Sequence, residues 1–237
     1  FFFQAQEAIG DTDRSRGLGD VYKRQRYTHV IWDIDNTMLD TEEELMCALI
    51  QALREKYGVE RSREELWFAM VMPAKETVRH LGIPEEDQEE VRRRWNQLTY
   101  TFRDRVTIFP GVEEALTRLR DAGVGLGVVT ARTREAYRRD MVPLGLGKYF
   151  ETVVCADDTQ RPKPDPEPVE RFCALTGAAK DQVLMIGDSA SDMKCCRAAG
   201  IHGALALWGK GADPSLPADY HFHTPAEAVE AVLGPER

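Results

Sequence analysis

From Thr28 onward, short apolar runs alternate with segments whose apolar residues recur at helical spacing. THVIWD (28–33), VGLGVVT (124–130), ETVVC (151–155), QVLMIGD (182–188) and HGALALW (202–208) predict strands. GVEEALTRLRDAG, TREAYRRDMVPLG, PDPEPVERFCALTG, SASDMKCCRAAG and TPAEAVEAVL predict the helices between and after them. Several of the strand runs are almost continuously apolar, as strands covered on both faces must be. The alternation therefore predicts an α/β fold with a doubly wound parallel sheet. One interval breaks the rhythm: residues 41–107 hold no convincing strand, only the helical stretches EEELMCALIQALREKYG, SREELWFAMV, AKETVRHLG and EDQEEVRRRWNQLTYTF. The expected division is a core of residues 27–40 and 108–237 with a helical cap domain, 41–107, inserted after the first strand.

With 237 residues, 43% hydrophobic and 30% charged, the chain has the make-up of an ordinary globular protein with a full core. Its net charge of −9 argues against nucleic-acid binding but says little about a small anion, which responds to local Lys and Arg. No apolar run approaches the length of a membrane-spanning helix, and FFFQAQEAIG turns polar after three residues, so a cytoplasmic location and no membrane partner are expected. The five cysteines form no CxxC pair and read as reduced core filler.

Residues 1–26 are expected not to belong to the folded protein. DVYKRQ (20–25) is what GAT GTG TAT AAG AGA CAG encodes, a sequence that resembles the transposon-end adapter of sequencing libraries, and GDTDRSRGLGD lacks any apolar periodicity.

The candidate chemistry lies at strand ends, where open α/β sheets bind ligands. The first run ends in Asp33 and Asp35, two apart, so that both carboxylates would face one side of the strand about 6 to 7 Å from each other. Such a pair calls for a cation or a shared proton. VGLGVVT ends in Thr130, and QVLMIGD ends in Asp188 with Asp192 one helical turn later. Lys163 lies in the proline-punctuated loop RPKPDP. His221 and His223 in YHFH share a strand face but have no acidic or Cys partner nearby in sequence.

DIDNT, VVT, the loop lysine and GDSASD, in that order, resemble the four motifs of the haloacid dehalogenase superfamily, over residues 28 to 233. FPGVEEALTRLRDAG and KPDPEP resemble its phosphoglycolate phosphatase-like branch, whose helical cap is inserted where residues 41–107 lie. Asn36 stands where the family often has Gly, a position Asn can fill because it tolerates left-handed backbone.

The resemblance implies a Mg²⁺-dependent phosphatase for a small phosphorylated metabolite, of phosphoglycolate type, working as a monomer or homodimer. Asp33 would attack phosphorus and become an aspartyl-phosphate, while Asp35 would act first as acid and then as base. Asp33, the Asp35 backbone carbonyl and Asp188 would hold Mg²⁺, with Asp192 orienting a metal water or Lys163. Thr130, Ala131 and Lys163 would bind the transferring phosphoryl group. Lys75, in the cap segment VMPAKETVRHLG, would reach a distal anion of the substrate, and Met72 stands where relatives often carry Gly. The alternative is a β-phosphoglucomutase-like sugar-phosphate mutase. Such enzymes usually carry a His or Arg in the helix after the first motif, and TEEELMCALI has neither.

Overall fold

The computed structural model describes residues 27–70, 72 and 74–234. The expected non-native leader, residues 1–26, lies outside them.

The sheet is built first by short, fully covered strands. β1 (His29–Trp32), β4 (Gly125–Val129), β5 (Thr152–Val154), β6 (Val183–Gly187) and β7 (His202–Ala206) arise from the five apolar runs. A sixth, β8 (Tyr220–Phe222), joins them. The order is β5-β4-β1-β6-β7-β8 and every pairing is parallel. β1 thus lies centrally, between β4 and β6, which places the carboxyl ends of three motif-bearing strands side by side.

Helices α5 (Val112–Asp121), α6 (Arg134–Met141), α7 (Glu167–Thr176), α8 (Ala190–Ala199) and α9 (Pro225–Leu233) flank the sheet. Two apolar clusters cover its faces: Leu116, Leu119 and Val229 pack with Val30 and Trp32 on one side, and Phe172, Val169 and Cys195 with Ile31 and Met185 on the other. Caps fix where these helices begin. Thr133, Ser189 and Thr224 each accept a hydrogen bond from the backbone N–H three residues on, and Ser189 with Asp192 forms a reciprocal capping box.

The insertion is helical, as the sequence predicts: α1 (Glu42–Tyr57), α2 (Arg63–Leu66), a 3₁₀ turn Trp67–Met70, α3 (Ala74–His80) and α4 (Glu85–Phe102). It carries its own apolar cluster, in which Met46, Leu49 and Leu53 of α1 meet Val91, Trp95 and Leu98 of α4. The indole N–H of Trp95 donates to the Leu45 carbonyl at 2.9 Å, satisfying the one polar atom of that large ring inside the insertion. A two-stranded antiparallel ribbon forms the neck: β2 (Leu39–Asp40) leaves the core and β3 (Thr107–Ile108) returns beside it. With two residues each, these strands are too short to leave a period-2 pattern, and the expectation of no strand up to residue 107 missed the start of β3.

Candidate active site

Apart from Lys75, on α3, the candidate residues sit where β1, β4 or β6 gives way to the loop or helix turn after it, or in the loop that follows β5. β1 ends at Trp32, and Asn36 turns the chain with φ of 54°, the left-handed backbone anticipated for it. Asp33 and Asp35 consequently do not stand side by side on one strand face. Each faces its own cation, which replaces the shared-charge arrangement the sequence suggested.

Asp33 is buried and accepts from Lys163 Nζ at 2.7 Å. The Lys163 side chain is 6% exposed and also donates to Asp192 Oδ1 at 2.6 Å and to the Val129 carbonyl at 3.3 Å. Asp192 is wholly buried, and its other oxygen accepts from the Ser189 N–H at 3.1 Å and Ser189 Oγ at 2.5 Å. It is at once a helix-capping acid and the group that holds Lys163. Gly187 makes room for it: a Cβ there would lie 2.5 Å from Asp192 Cγ. Asp188 accepts from Thr37 Oγ1 at 3.4 Å. Thr130 is buried, and its hydroxyl accepts the Arg132 N–H at 3.2 Å, turning the loop after β4 back on itself, while Ala131 is exposed.

Carboxylate oxygens of Asp33, Asp188 and Asp192 lie within 4.8 Å of one another. Burial raises Asp33 to about 7, an effect Lys163 partly offsets, and burial together with Asp192 and Asp33 raises Asp188 well above the ordinary carboxylate range. Lys163 is held firmly as an ammonium because the two carboxylates beside it outweigh its burial. Three carboxylates against one ammonium leave an uncompensated negative charge in a place largely shut off from water. That hard-oxygen donor set fits a small divalent cation such as Mg²⁺.

Arg132 is the residue that sequence reasoning missed. Its Nε and Nη2 donate to the two oxygens of Asp35 at 2.9 and 2.7 Å, its Nη1 pairs with Asp140, and Glu44 of α1 lies 3.8 Å away. Burial alone would raise Asp35, but the charge and hydrogen bonds of Arg132 outweigh it and hold that carboxyl below its ordinary value. In TARTREAY nothing local marks Arg132 out, since its partners are 97, 88 and 8 residues away. Lys75 lies apart: it is exposed on α3 and has no ion-pair partner among the described residues.

The arrangement brings a buried carboxylate beside Lys163, an acidic cluster able to hold a cation and a second carboxylate beside Arg132 together at the carboxyl ends of the strands. Comparison with known proteins agrees. Residues 30–206 match the family model described as haloacid dehalogenase-like hydrolase. The pyrophosphatase PpaX of Bacillus velezensis is 32% identical over 185 residues, covering 78% of this chain and 85% of that protein. A plasmid-borne phosphoglycolate phosphatase of Cupriavidus necator is 37% identical over 134 residues, 55% of this chain and 58% of that one. Among solved structures, a Lactobacillus plantarum protein superposes with a TM-score of 0.78 at 25% identity, covering 86% of this chain and 98% of its own. A subfamily IA hydrolase of the same superfamily from Geobacter sulfurreducens gives 0.71 at 25% identity, covering 88% and 98%. The chain belongs to the haloacid dehalogenase-like hydrolase family and is an enzyme of its phosphatase branch. Among the described residues, no helix is long and apolar enough to cross a membrane.

Proposed function

We propose that the protein hydrolyses a small phosphorylated metabolite, of phosphoglycolate type, with Mg²⁺ and through an aspartyl-phosphate on Asp33. The observation that carries this reading is the buried triad in which Lys163 spans Asp33 and Asp192 while Asp188 stands within reach of both carboxylates. Mg²⁺ would be held by Asp33, the Asp35 backbone carbonyl and Asp188. When bound it supplies neutralisation of the phosphoryl oxygens beside an anionic nucleophile.

The chain's own residues perform the steps. An Asp33 oxygen attacks phosphorus, the bond from phosphorus to the substrate oxygen breaks, and the departing oxygen takes a proton from Asp35. That step requires Asp35 to be protonated against the pull of Arg132, a protonation that the negative charge of the neighbouring phosphoryl group favours. Asp35, now a carboxylate, removes a proton from water, and the resulting hydroxide attacks the phosphorus of the aspartyl-phosphate. The acyl phosphate bond breaks, phosphate leaves and Asp33 is regenerated. Lys163 and the backbone N–H groups after Thr130 stabilise the charge that develops on the transferring group, and Asp192 keeps Lys163 in place.

Release of phosphate from a panel containing phosphoglycolate, pyrophosphate, sugar phosphates and an aryl phosphate, with and without Mg²⁺, tests this reading. Turnover that needs Mg²⁺ and is abolished by Asp33→Asn, with the fold intact, is the expected result. Pyrophosphate belongs in the panel because the Bacillus velezensis relative is named a pyrophosphatase. Wild-type rates from Asp33→Asn would defeat the mechanism.

A further inference from the structure

We infer that Arg132 is a positioning residue for Asp35: its guanidinium fixes the plane of the carboxylate that the proposed reaction uses as acid and base. This rests on the reading of Asp35 given above, but the residue lies outside the four motifs, and the structure supplies the reason for its role.

The hold is two-pronged. Nε meets Oδ2 at 2.9 Å and Nη2 meets Oδ1 at 2.7 Å, a side-on fork that sets both oxygens of one carboxylate at once. Asp35 needs such a hold, because its side chain is 32% exposed and would otherwise be free to change rotamer at the mouth of the cleft. Arg132 itself is 10% exposed and is fixed at every level. Its N–H donates to Thr130 Oγ1 at 3.2 Å and its carbonyl accepts from the Ala156 N–H at 2.9 Å, so its backbone is pinned beside the phosphoryl-binding turn. On the far edge of the guanidinium, Nη1 pairs with Asp140 of α6. Asp140 is gripped in turn by Arg139, whose guanidinium lies 3.8 Å over the ring of Tyr100 in α4.

The second line of support is Glu44. It comes from the first helix of the insertion, is 1% exposed, and stands 3.8 Å from Nη2, with its Oε1 lacking any hydrogen-bond partner. The charged form of a buried carboxyl so placed is stabilised by a cation, and Arg132 is the cation beside it. Asp35 is therefore tied, through one arginine, to a core helix and to the inserted helices on both sides of the neck. Three of the five N–H groups of Arg132 are committed to carboxylates, two of them to Asp35.

Arg132→Ala would leave Asp35 and the buried Glu44 without their paired cation, so the test uses Arg132→Lys, which keeps the charge and loses the fork, and Asp140→Asn, which keeps Arg132 and loosens its far edge. Each is made in the wild type and in Asp35→Asn and assayed with p-nitrophenyl phosphate and Mg²⁺, a substrate whose leaving group needs no proton and so keeps slow variants measurable. Arg132→Lys is expected to lower kcat by roughly ten- to a hundredfold with KM little changed, as loss of a group that orients an active residue does. Asp140→Asn is expected to give a smaller loss of the same sign. In the Asp35→Asn background neither change should cost anything further. The inference is overturned by a wild-type rate from Arg132→Lys, by a rise in KM with kcat kept, or by an equal loss when Asp35 is already gone. Failure of the underlying reading has a different signature, phosphate release by Asp33→Asn.

Discussion

Lys163 lies in the loop after β5 and Asp192 in the first turn of α8, yet Nζ donates to Oδ1 at 2.6 Å with the lysine side chain 6% and the aspartate 0% exposed. A pair so far from water is expensive to break: removing one partner leaves a buried charge and costs roughly 3 to 5 kcal/mol. Asp192→Asn is expected to lower the free energy of urea unfolding by up to that margin, moving the midpoint down, and to reduce turnover together with it, because Lys163 loses the partner that aims it at Asp33. An unchanged midpoint would show that Asp192 serves only as a helix cap.

The strand residue beneath that pair makes a narrower test. A Cβ on Gly187 would lie 2.5 Å from Asp192 Cγ and 2.6 Å from Oδ2, contacts that side chains do not make. Glycine is required there by close approach. Gly187→Ala is expected to displace Asp192, lower the melting temperature and raise the Mg²⁺ concentration needed for half-maximal turnover. Activity and stability both at wild-type level would mean that α8 can shift to absorb the methyl group.

Most of the fold is legible in sequence because period and punctuation carry it. The five apolar runs became five of the six strands of the sheet, and the break in rhythm after Asp40 marks the insertion. Tyr220–Phe222 was not read as a sheet strand because three residues at an edge carry too little periodicity, although the same-face spacing of YHFH was visible. Asp33, Thr130, Lys163, Asp188 and Asp192 converge because each lies at the carboxyl end of a parallel strand or in the loop after one. Arg132, Glu44 and Asp140 were not legible, since nothing in sequence tells which buried acid an arginine pairs with across 88 residues. The expected repulsion between Asp33 and Asp35 is relieved by separate cations, a fact that belongs to side-chain packing.

Glu44 gives the fold a pH dependence whose sign is set by burial. Burial raises its carboxyl from 4.5 to about 7, with Arg132 opposing the shift and Asp140 and Asp35 adding to it. Between those values the unfolded chain has lost the proton and the folded chain keeps it. The contribution to stability is therefore fully present below 4.5 and is lost as pH rises toward about 7. Urea unfolding at about pH 5 and about pH 8 should show the wild type losing more stability on that rise than Glu44→Gln, whose amide does not titrate. Equal losses in the two proteins would place Glu44 in ordinary contact with water.

Substrate choice is expected to depend on the insertion, and Lys75 is its candidate anchor. It lies exposed on α3, in no ion pair among the described residues, so its ammonium is available to a ligand, whereas Lys163 and Arg132 are committed to carboxylates. If it meets a distal carboxylate or phosphate of the substrate, Lys75→Ala removes one charge-assisted contact of about 1.5 to 3 kcal/mol and should lower kcat/KM for phosphoglycolate or pyrophosphate by roughly ten- to a hundredfold. An aryl phosphate has no distal anion, and on the proposed mechanism its phosphoryl group would still meet Asp33, Lys163 and the turn after Thr130. Its turnover should be unaffected, and since Lys75 is exposed, the melting temperature should not move. A uniform loss on both substrate classes would assign Lys75 to the folding of α3, and no loss on either would make it a solvated lysine.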